Sequence, residues 1–235
     1  MKTINTFYIK LIAIFCMTID HIAALFLKNP HLYLICRTIG AVTFPIMAYM
    51  ICEGYNNTKN LLKYKKRLFV FSLVSMIPYA LAFGYETLGL NVGFTLLFGL
   101  FSLEVLEKTK NSVIKWVAVF ILSVISFNFD WGFVGVWMIV AFYYAKKKKE
   151  GIFLSLLLGV LLFVVKNQAL YFLLRGELLS IAYILKSSAF IRHFGFLLAG
   201  VLIIFYNGQH KGGGKWLFYV YYPTHLLALG LIQML

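Results

Sequence analysis

Long apolar runs recur along this chain, and they constrain its fold more than any other feature. The runs are roughly 15–20 residues long and are separated by short stretches with charges, glycine or proline. Of 235 residues, 62% are hydrophobic and 13% are charged, with a mean hydropathy of +0.86. A soluble domain is about half apolar and about a quarter charged. Lipid must therefore solvate much of the chain, and a signal peptide followed by a soluble domain is excluded.

The length and continuity of the runs favour helices over a membrane barrel, whose strands are short and alternate in polarity. We predict one all-α domain over residues 1–235, a polytopic transmembrane helical bundle of about ten segments around a central tunnel. Several runs are too short for a full crossing, which indicates tilted, short or broken helices. The predicted segments are 8–27, 33–53, 67–84, 91–106, 113–129, 131–145, 151–166, 168–190, 194–206 and 215–234.

Lysines in the connecting loops predict the orientation in the membrane. Loops 54–66, 107–115 and 146–149 are rich in lysine, whereas the loops between them carry only Glu86 or Asp130 as charges. Lysine-rich loops remain in the cytoplasm. We therefore expect a multi-pass protein of a bacterial-type inner membrane with its N-terminus in the cytoplasm.

One region does not fit this alternation. If all ten segments cross, the loop 207–215, which contains two lysines, lies on the outer side. Region 168–206 contains several charges, so the sequence leaves open whether it crosses the membrane or dips in and returns.

The net charge of +14 comes from 22 Lys and Arg against 8 Asp and Glu. Cytoplasmic loops account for most of it, and part of it is available to hold an anionic cofactor. A nucleic-acid partner is not expected, because no basic stripe lies on a soluble module. Cys16, Cys36 and Cys52 lie in apolar runs without metal-ligand spacing, so we expect neither a disulfide nor a metal site.

The first segment carries Lys10, Asp20 and His21 in an otherwise apolar helix. Lys10 and His21 are eleven residues apart, which is about three turns and about 16 Å along the same face. A lysine at the rim suits an anionic headgroup or cofactor, and a histidine suits proton transfer. Asp20 points about 100° away, so it serves a neighbouring helix better than His21. A snorkelling lysine with a structural Asp–His pair remains the alternative.

The second segment contains Arg37, Pro45 and Glu53. Pro45 removes a helix hydrogen bond and predicts a kink. The two charges lie near opposite ends of the segment, where each is either a partner for another span or a rim anchor.

The last segment places His225 two residues after Pro223, with Tyr219 and Tyr222 near the same face. An interfacial aromatic belt explains the tyrosines but does not explain a histidine within the span. His225 is therefore a candidate to pair with His21 or to bind a ligand.

Asn91 and Asp130 precede predicted helices, where a capping role explains them as well as a substrate contact does. The chain has no Walker loop, no GxSxG and no HExxH motif, which argues against an ATP-driven pump and against familiar hydrolases.

Four stretches of the chain resemble the TraX family, which is named for a protein that acetylates the N-terminus of conjugative pilin. They are KLIAIFCMTIDHIAALF from Lys10, RTIGAVTFPIMAYMICEGY from Arg37, NVGFTLL from Asn91, and the closing FYVYYPTHLL. The resemblance covers almost the whole chain and is weakest over 140–210. The spacing of Lys10 and His21 is also similar to the basic-x10-His pattern of acyltransferase type 3 families. The pattern departs at Ala41, where we expect a second arginine.

This resemblance implies a membrane acyltransferase that takes an acyl group, most simply acetyl, from cytoplasmic acetyl-CoA or another acyl-CoA. The acceptor is then a peptide amine or a glycan, at or across the membrane lipids. The oligomeric state stays open, a homodimer included. The implied site has His21 and Asp20 as catalytic residues and Lys10 and Arg67 as CoA ligands. Supporting or acceptor-side roles fall to Arg37, Glu53, Asn91, Tyr222 and His225.

Two other readings remain open from the residues alone. Intramembrane carboxylates and broken helices also suit a proton- or ion-coupled secondary transporter, with Asp20, His21 and Glu53 as a relay. A non-catalytic assembly factor is the third reading, and it predicts no need for His21.

Overall fold

The computed structural model is all-α and describes residues 3–145, 147–209 and 216–235. Three single 3₁₀ turns, Tyr85–Thr87, Ser126–Asn128 and Arg192–Phe194, accompany the α-helices. In these ranges the helices are α1 Thr6–Phe26, α2 Pro30–Gly40, α3 Thr43–Asn57, α4 Leu61–Val74, α5 Met76–Phe83, α6 Val92–Lys108, α7 Ser112–Ile125, α8 Gly132–Ala145, α9 Lys149–Arg175, α10 Ile181–Lys186, α11 Ser188–Ile191, α12 Gly195–Phe205 and α13 Leu217–Gln233.

The helices form a membrane bundle. Large apolar side chains such as Phe15, Phe120 and Leu173 are exposed on its outside, where lipid can solvate them. The chain is therefore a multi-pass membrane protein, and the predicted helical bundle is confirmed. The stretches of the described chain that are long and apolar enough to cross a bilayer are Thr6–Phe26, Pro30–Asn57, Leu61–Phe83, Tyr85–Lys108 and Lys149–Arg175, with shorter apolar helices at Ser112–Asn128, Gly132–Ala145 and Arg192–Phe205.

Two spans are broken at positions that prolines explain. Pro45 has no N–H for the carbonyl of Ala41, and the chain turns at Ala41 and Val42 between α2 and α3. Pro78 likewise has no N–H for the carbonyl of Val74, where α4 ends. The kink predicted at Pro45 is thus a full break between two helices.

The predicted segment 168–190 is not a single helix, and of the two paths that the sequence leaves open for this region the structure has the one that turns back. Residues 168–175 continue α9, which is 27 residues or about 40 Å long and so exceeds a hydrocarbon core of about 30 Å. The chain then turns at Gly176, which has a positive φ of 73°, and returns through the short helices α10 and α11. Within the described ranges, residues 168–190 therefore do not form a separate span.

The N-terminus and the residues after α12 lie at the same end of the bundle. The N–H groups of Ile4 and Asn207 donate to the carbonyls of Phe205 and Ile4, at 3.1 and 2.9 Å. The first residues of the loop 207–215 therefore lie beside the start of α1, the end of the bundle for which a cytoplasmic position is predicted. Residues 210–215 of that loop, and Lys146 in the predicted loop 146–149, lie outside the described residues.

The core is centred on α3. Its residues from Phe44 to Glu53 are all buried, as expected for a helix surrounded by other helices. It packs against α1, α6, α8 and α12, while α13 packs against α1 and α5. The two faces of α1 that contact α3 and α13 therefore look into the middle of the bundle.

Candidate active site

The polar stripe on α1 joins two cavities that lie towards opposite ends of the bundle. The Lys10 cavity, about 450 Å³, is lined by Lys10, Glu53 and Arg67 among others. The His21 cavity, about 330 Å³, is lined by His21 and Asp20. Three turns of helix, about 16 Å, separate Lys10 from His21.

Met47 and Phe218 line both cavities. Met47 belongs to the buried helix α3, and Phe218 lies in the first turn of α13. The thioether of Met47 and the phenyl ring of Phe218 therefore lie between the two spaces. A methionine side chain is flexible enough to repack there.

His21 is paired with His225, which is one of the two roles that the sequence leaves open for His225. Nδ1 of His21 lies 2.8 Å from Nε2 of His225, and both side chains are almost buried. Nδ1 of His225 lies 2.9 Å from the backbone carbonyl of Tyr221. The imidazole rings are nearly parallel, with centroids 5.1 Å apart. Thr18 Oγ1 shares a 2.7 Å hydrogen bond with the hydroxyl of Tyr221, which ties α1 to α13 beside the pair.

This chain of contacts determines which ring nitrogen is free. A carbonyl only accepts, so Nδ1–H of His225 donates to Tyr221 and leaves Nε2 of a neutral His225 as an acceptor. His21 then donates through its Nδ1–H. Nε2 of His21 is left with a lone pair, as a general base requires.

Asp20 pairs with a neighbouring helix, as its position on α1 predicts. Nη1 of Arg37 lies 2.6 Å from Oδ2 of Asp20 in a half-buried salt bridge. Close approach of the helices requires Gly40, because a Cβ there would lie 2.1 Å from Oδ1 of Asp20. The pair supplies a fixed guanidinium on the wall of the His21 cavity.

Three further charged residues line the His21 cavity, namely Asp130, Lys166 and Arg192. Sequence reasoning missed Lys166 and Arg192 as site residues and left Asp130 open between a helix cap and a substrate contact. Nζ of Lys166 donates to the carbonyl of Phe127 at 3.1 Å. Burial, and then the charge of Asp20, raises the pKa of the Asp130 carboxyl to about 6. Lys166 is the one that the sequence could have indicated, since it interrupts a long apolar run.

The Lys10 cavity has a different character. Nε of Arg67 donates to the hydroxyl of Tyr219 at 3.2 Å, and its guanidinium lies over the rings of Tyr64 and Tyr219. Lys10 makes no hydrogen bond or ion pair with the rest of the described chain. Glu53 is held by Lys147, with Nζ 2.8 Å from its Oε1. The free cations therefore outnumber the free carboxylates in this cavity.

The family model for "TraX protein" matches residues 6–233 of the chain. The chain belongs to the TraX family. A curated relative in Dichelobacter nodosus, the probable fimbrial assembly protein FimC of serogroup H1, is 28% identical over 242 residues. That alignment covers 96% of this chain and 94% of the relative. No solved structure matches the chain.

In this member of the TraX family, the structure brings His21, Asp20, Arg37, Tyr222 and His225 together. Tyr222 is buried, lines the His21 cavity, and has its ring centroid 6.3 Å from that of His21. Its hydroxyl makes no hydrogen bond of normal geometry within the described chain. It is therefore an available donor inside the cavity.

Two of the predicted site residues lie elsewhere in the TraX chain. Glu53 lines the Lys10 cavity and not the His21 cavity, because it lies at the far end of α3. Asn91 is the N-cap of α6: its Oδ1 accepts from Gly93 N–H, and its Nδ2 donates to the carbonyl of Ser72. Lys10 and Arg67 do share one cavity.

Within the described residues, no cluster of three potential metal ligands occurs. The three cysteines are free thiols.

Proposed function

We propose that this protein is a membrane acyltransferase that moves an acetyl group from acetyl-CoA to an amine or hydroxyl acceptor. The observation that carries the proposal is the position of His21. Its imidazole has a free lone pair, lines one cavity, and lies one thin boundary away from a second cavity that is rich in free cations. Membership of the TraX family supports the same activity.

The acyl donor binds in the Lys10 cavity. CoA carries several phosphate charges, and lysine and arginine side chains are the usual protein ligands of phosphate. Lys10 and Arg67 line this cavity, and neither has a carboxylate partner among the residues that the structure describes. The pantetheine arm then extends along α1 for about 16 Å and passes between Met47 and Phe218 to bring the thioester to His21.

The acceptor enters the His21 cavity and loses a proton to Nε2 of His21 as its nitrogen or oxygen attacks the thioester carbonyl carbon. The new bond forms as the C–S bond breaks. The proton then passes from His21 to the CoA thiolate. Negative charge that develops on the carbonyl oxygen is stabilised by the free hydroxyl of Tyr222 and by the guanidinium of Arg37.

The acceptor is the amino group of a surface-appendage subunit. The name of the Dichelobacter relative supports this part of the proposal, because it describes a probable fimbrial assembly protein. With the N-terminus in the cytoplasm, the Lys10 cavity faces the CoA pool, and the His21 cavity faces outward, where such subunits are assembled.

Thermal unfolding of the purified full chain tests the donor site. CoA and acetyl-CoA should raise the unfolding midpoint, because a ligand of the folded state stabilises it. Lys10→Gln with Arg67→Gln should weaken CoA binding roughly tenfold or more. Lys66→Gln, an exposed lysine on the same helix as Arg67, is the matched control and should bind CoA normally. An equal CoA shift in the double variant and the wild type would exclude this donor site.

Mass spectrometry of surface peptides and glycans from a deletion strain and its parent tests the acceptor. The parent should carry an N-terminal acetyl group on an appendage subunit that the deletion strain lacks. Identical acetylation in both strains would contradict the proposed acceptor.

A secondary transporter is the second candidate, because the two cavities approach from opposite ends and share a thin boundary. It predicts ion-driven uptake into liposomes without CoA. The acyltransferase proposal predicts no such uptake and requires acetyl-CoA for its product.

A further inference from the structure

The His21 cavity contains more positive charge than its own carboxylates neutralise. Arg37, Lys166 and Arg192 face it together with Asp20 and Asp130. Arg37 is already paired with Asp20. One uncompensated positive charge therefore remains in a cavity inside a membrane protein, where such charges are costly and mark functional sites.

Among the described residues neither Arg192 nor Lys166 forms an ion pair, and only Lys166 has a hydrogen bond, to the carbonyl of Phe127. Within the described residues the guanidinium of Arg192 makes no ion pair; it lies 5.7 Å from the centre of the Phe163 ring, and the charges of Asp20 and Asp130 act on it from beyond ion-pair distance. The Nε atoms of Arg37 and Arg192 are both buried without a hydrogen-bond partner. Buried donors are normally satisfied, so two such donors on one cavity wall indicate a missing acceptor.

The segment that carries Arg192 packs closely against α2. Gly195 packs so tightly that a Cβ would lie 2.1 Å from the carbonyl of Thr38. The turn before α10 is fixed to α9, because the side-chain amide of Gln168 bonds both the N–H and the carbonyl of Leu179, at 2.9 and 2.8 Å. The segment that places Arg192 at the cavity is therefore held by contacts with α2 and α9.

We propose that the His21 cavity recognises a singly charged oxyanion on the acceptor, a carboxylate or a phosphodiester, through Arg192 and Lys166. The inference rests on the proposed function only in assigning this group to the acceptor. The planar guanidinium of Arg192 binds two oxygens of such a group, while Lys166 adds a point charge. Asp20 and Asp130 disfavour more highly charged groups by repulsion.

The size of the cavity limits what accompanies the anion. At about 330 Å³ it is at the small end of ligand pockets. It has room for the reacting group and one neighbouring unit, such as an amino acid or a headgroup, with the aromatic wall of Trp131 and Phe163 beside it. The acceptor class is thus a nucleophile with an anion close to it.

Small probes test the subsite on the purified full chain. Acetate and dimethyl phosphate, at constant ionic strength, should each be compared with the neutral analogues acetamide and trimethyl phosphate. The expected result is a rise in the unfolding midpoint of about 2 °C or more with an anion and none with its neutral analogue. A response to acetate alone assigns a carboxylate, as in an acidic peptide, and a response to dimethyl phosphate alone assigns a phosphodiester.

Variants locate the effect. Arg192→Gln should abolish the anion shift, Arg192→Lys should retain part of it, and Arg175→Gln, an exposed arginine at the end of α9, should retain all of it. Without probe, Arg192→Gln should unfold at or above the wild-type temperature, because it removes an uncompensated charge. A purely structural Arg192 would instead lower that temperature.

The two proposals fail separately. An anion shift that is absent from the wild type, or unchanged in Arg192→Gln, overturns the oxyanion subsite even if CoA still stabilises every variant. A missing CoA shift beside an intact anion shift overturns the donor site and leaves the oxyanion subsite standing.

Discussion

The two cavities recognise charge in different ways. The Lys10 cavity presents free cations, with its one glutamate already bound to Lys147. The His21 cavity mixes carboxylates, guanidinium groups, an imidazole pair and a free tyrosine hydroxyl. A polyanion such as CoA needs little more than positive charge, whereas an acceptor must be oriented and deprotonated. Under the proposed function, the difference implies that donor binding and chemistry are separated along α1 by three turns of helix.

The strongest test of this separation is His21→Gln. We expect acetyl transfer to fall roughly 10²- to 10⁴-fold, because the general base is lost, while the CoA thermal shift stays at the wild-type value. Rates of acetylated product and the unfolding midpoint with CoA are the two measurements. His31→Gln, an exposed histidine at the start of α2, is the control. Transfer within a few-fold of wild type would end the base assignment.

Met47→Trp should break the connection between the cavities. A larger ring at the shared boundary should block the thioester and lower transfer by roughly 10- to 100-fold, since misplacement by about 1 Å costs about 10²-fold. CoA and acetate should each still stabilise the variant. Met47→Leu keeps the volume and should remain active. Normal transfer by the tryptophan variant would show that the donor reaches His21 by another route.

Gly40→Ala tests the helix contact that holds the Asp20–Arg37 pair. The new methyl would lie 2.1 Å from Oδ1 of Asp20, so we expect a loss of about 1–3 kcal/mol in stability. Thermal unfolding measures it. In Gly159→Ala the methyl overlaps the flexible Cε of Met138, at 2.2 Å, and otherwise makes an ordinary contact with Phe196 at 3.4 Å, so it should be tolerated better. Equal stability of the two variants would contradict the tight α1–α2 contact.

The smallest expected effect is a pH dependence confined to the His21 cavity. Because the pKa of Asp130 is raised to about 6, its carboxylate takes up a proton as the pH falls from 7 to 5. The charged groups that act on it are Asp20, Arg37, Lys166 and Arg192. The cavity becomes more positive, so dimethyl phosphate, which stays ionised, should bind roughly three- to tenfold more tightly at pH 5.

Two comparisons check that pH effect. Asp130→Asn should flatten it and should bind dimethyl phosphate more tightly at pH 7 than the wild type does. If wild-type binding does not change between pH 7 and pH 5, Asp130 is not part of the subsite.

Local patterns in the sequence predicted the parts of the site that one helix can encode. The spacing of Lys10 and His21 gave the stripe on α1, the angle of Asp20 gave a partner on another helix, and a histidine inside an apolar span singled out His225. These inferences needed only helix geometry. The same geometry predicted most spans, because long apolar runs dominate them.

The parts that were missed depend on contacts between distant segments. Arg192 reaches the cavity only because α9 overruns the bilayer and the chain returns through two short helices. No periodicity encodes that return; only the charges in region 168–206 left it open as an alternative to a separate span over 168–190. The sequence predicted the position of Glu53 near one end of its helix. Tertiary packing decides which cavity that end of α3 lines, and helix geometry alone could not predict it.

The hydrogen bond between His21 and His225 joins residues 204 positions apart. At roughly 5–20 residues per second, the ribosome needs about 10–40 s after making the first imidazole to make the second. A partly synthesised chain can insert α1 with Lys10 in place. His21 then still lacks His225, the neighbour that sets its tautomer. Before α13 is in place nothing fixes which ring nitrogen of His21 carries the lone pair, so a site that begins on α1 is completed only about 200 residues later in synthesis.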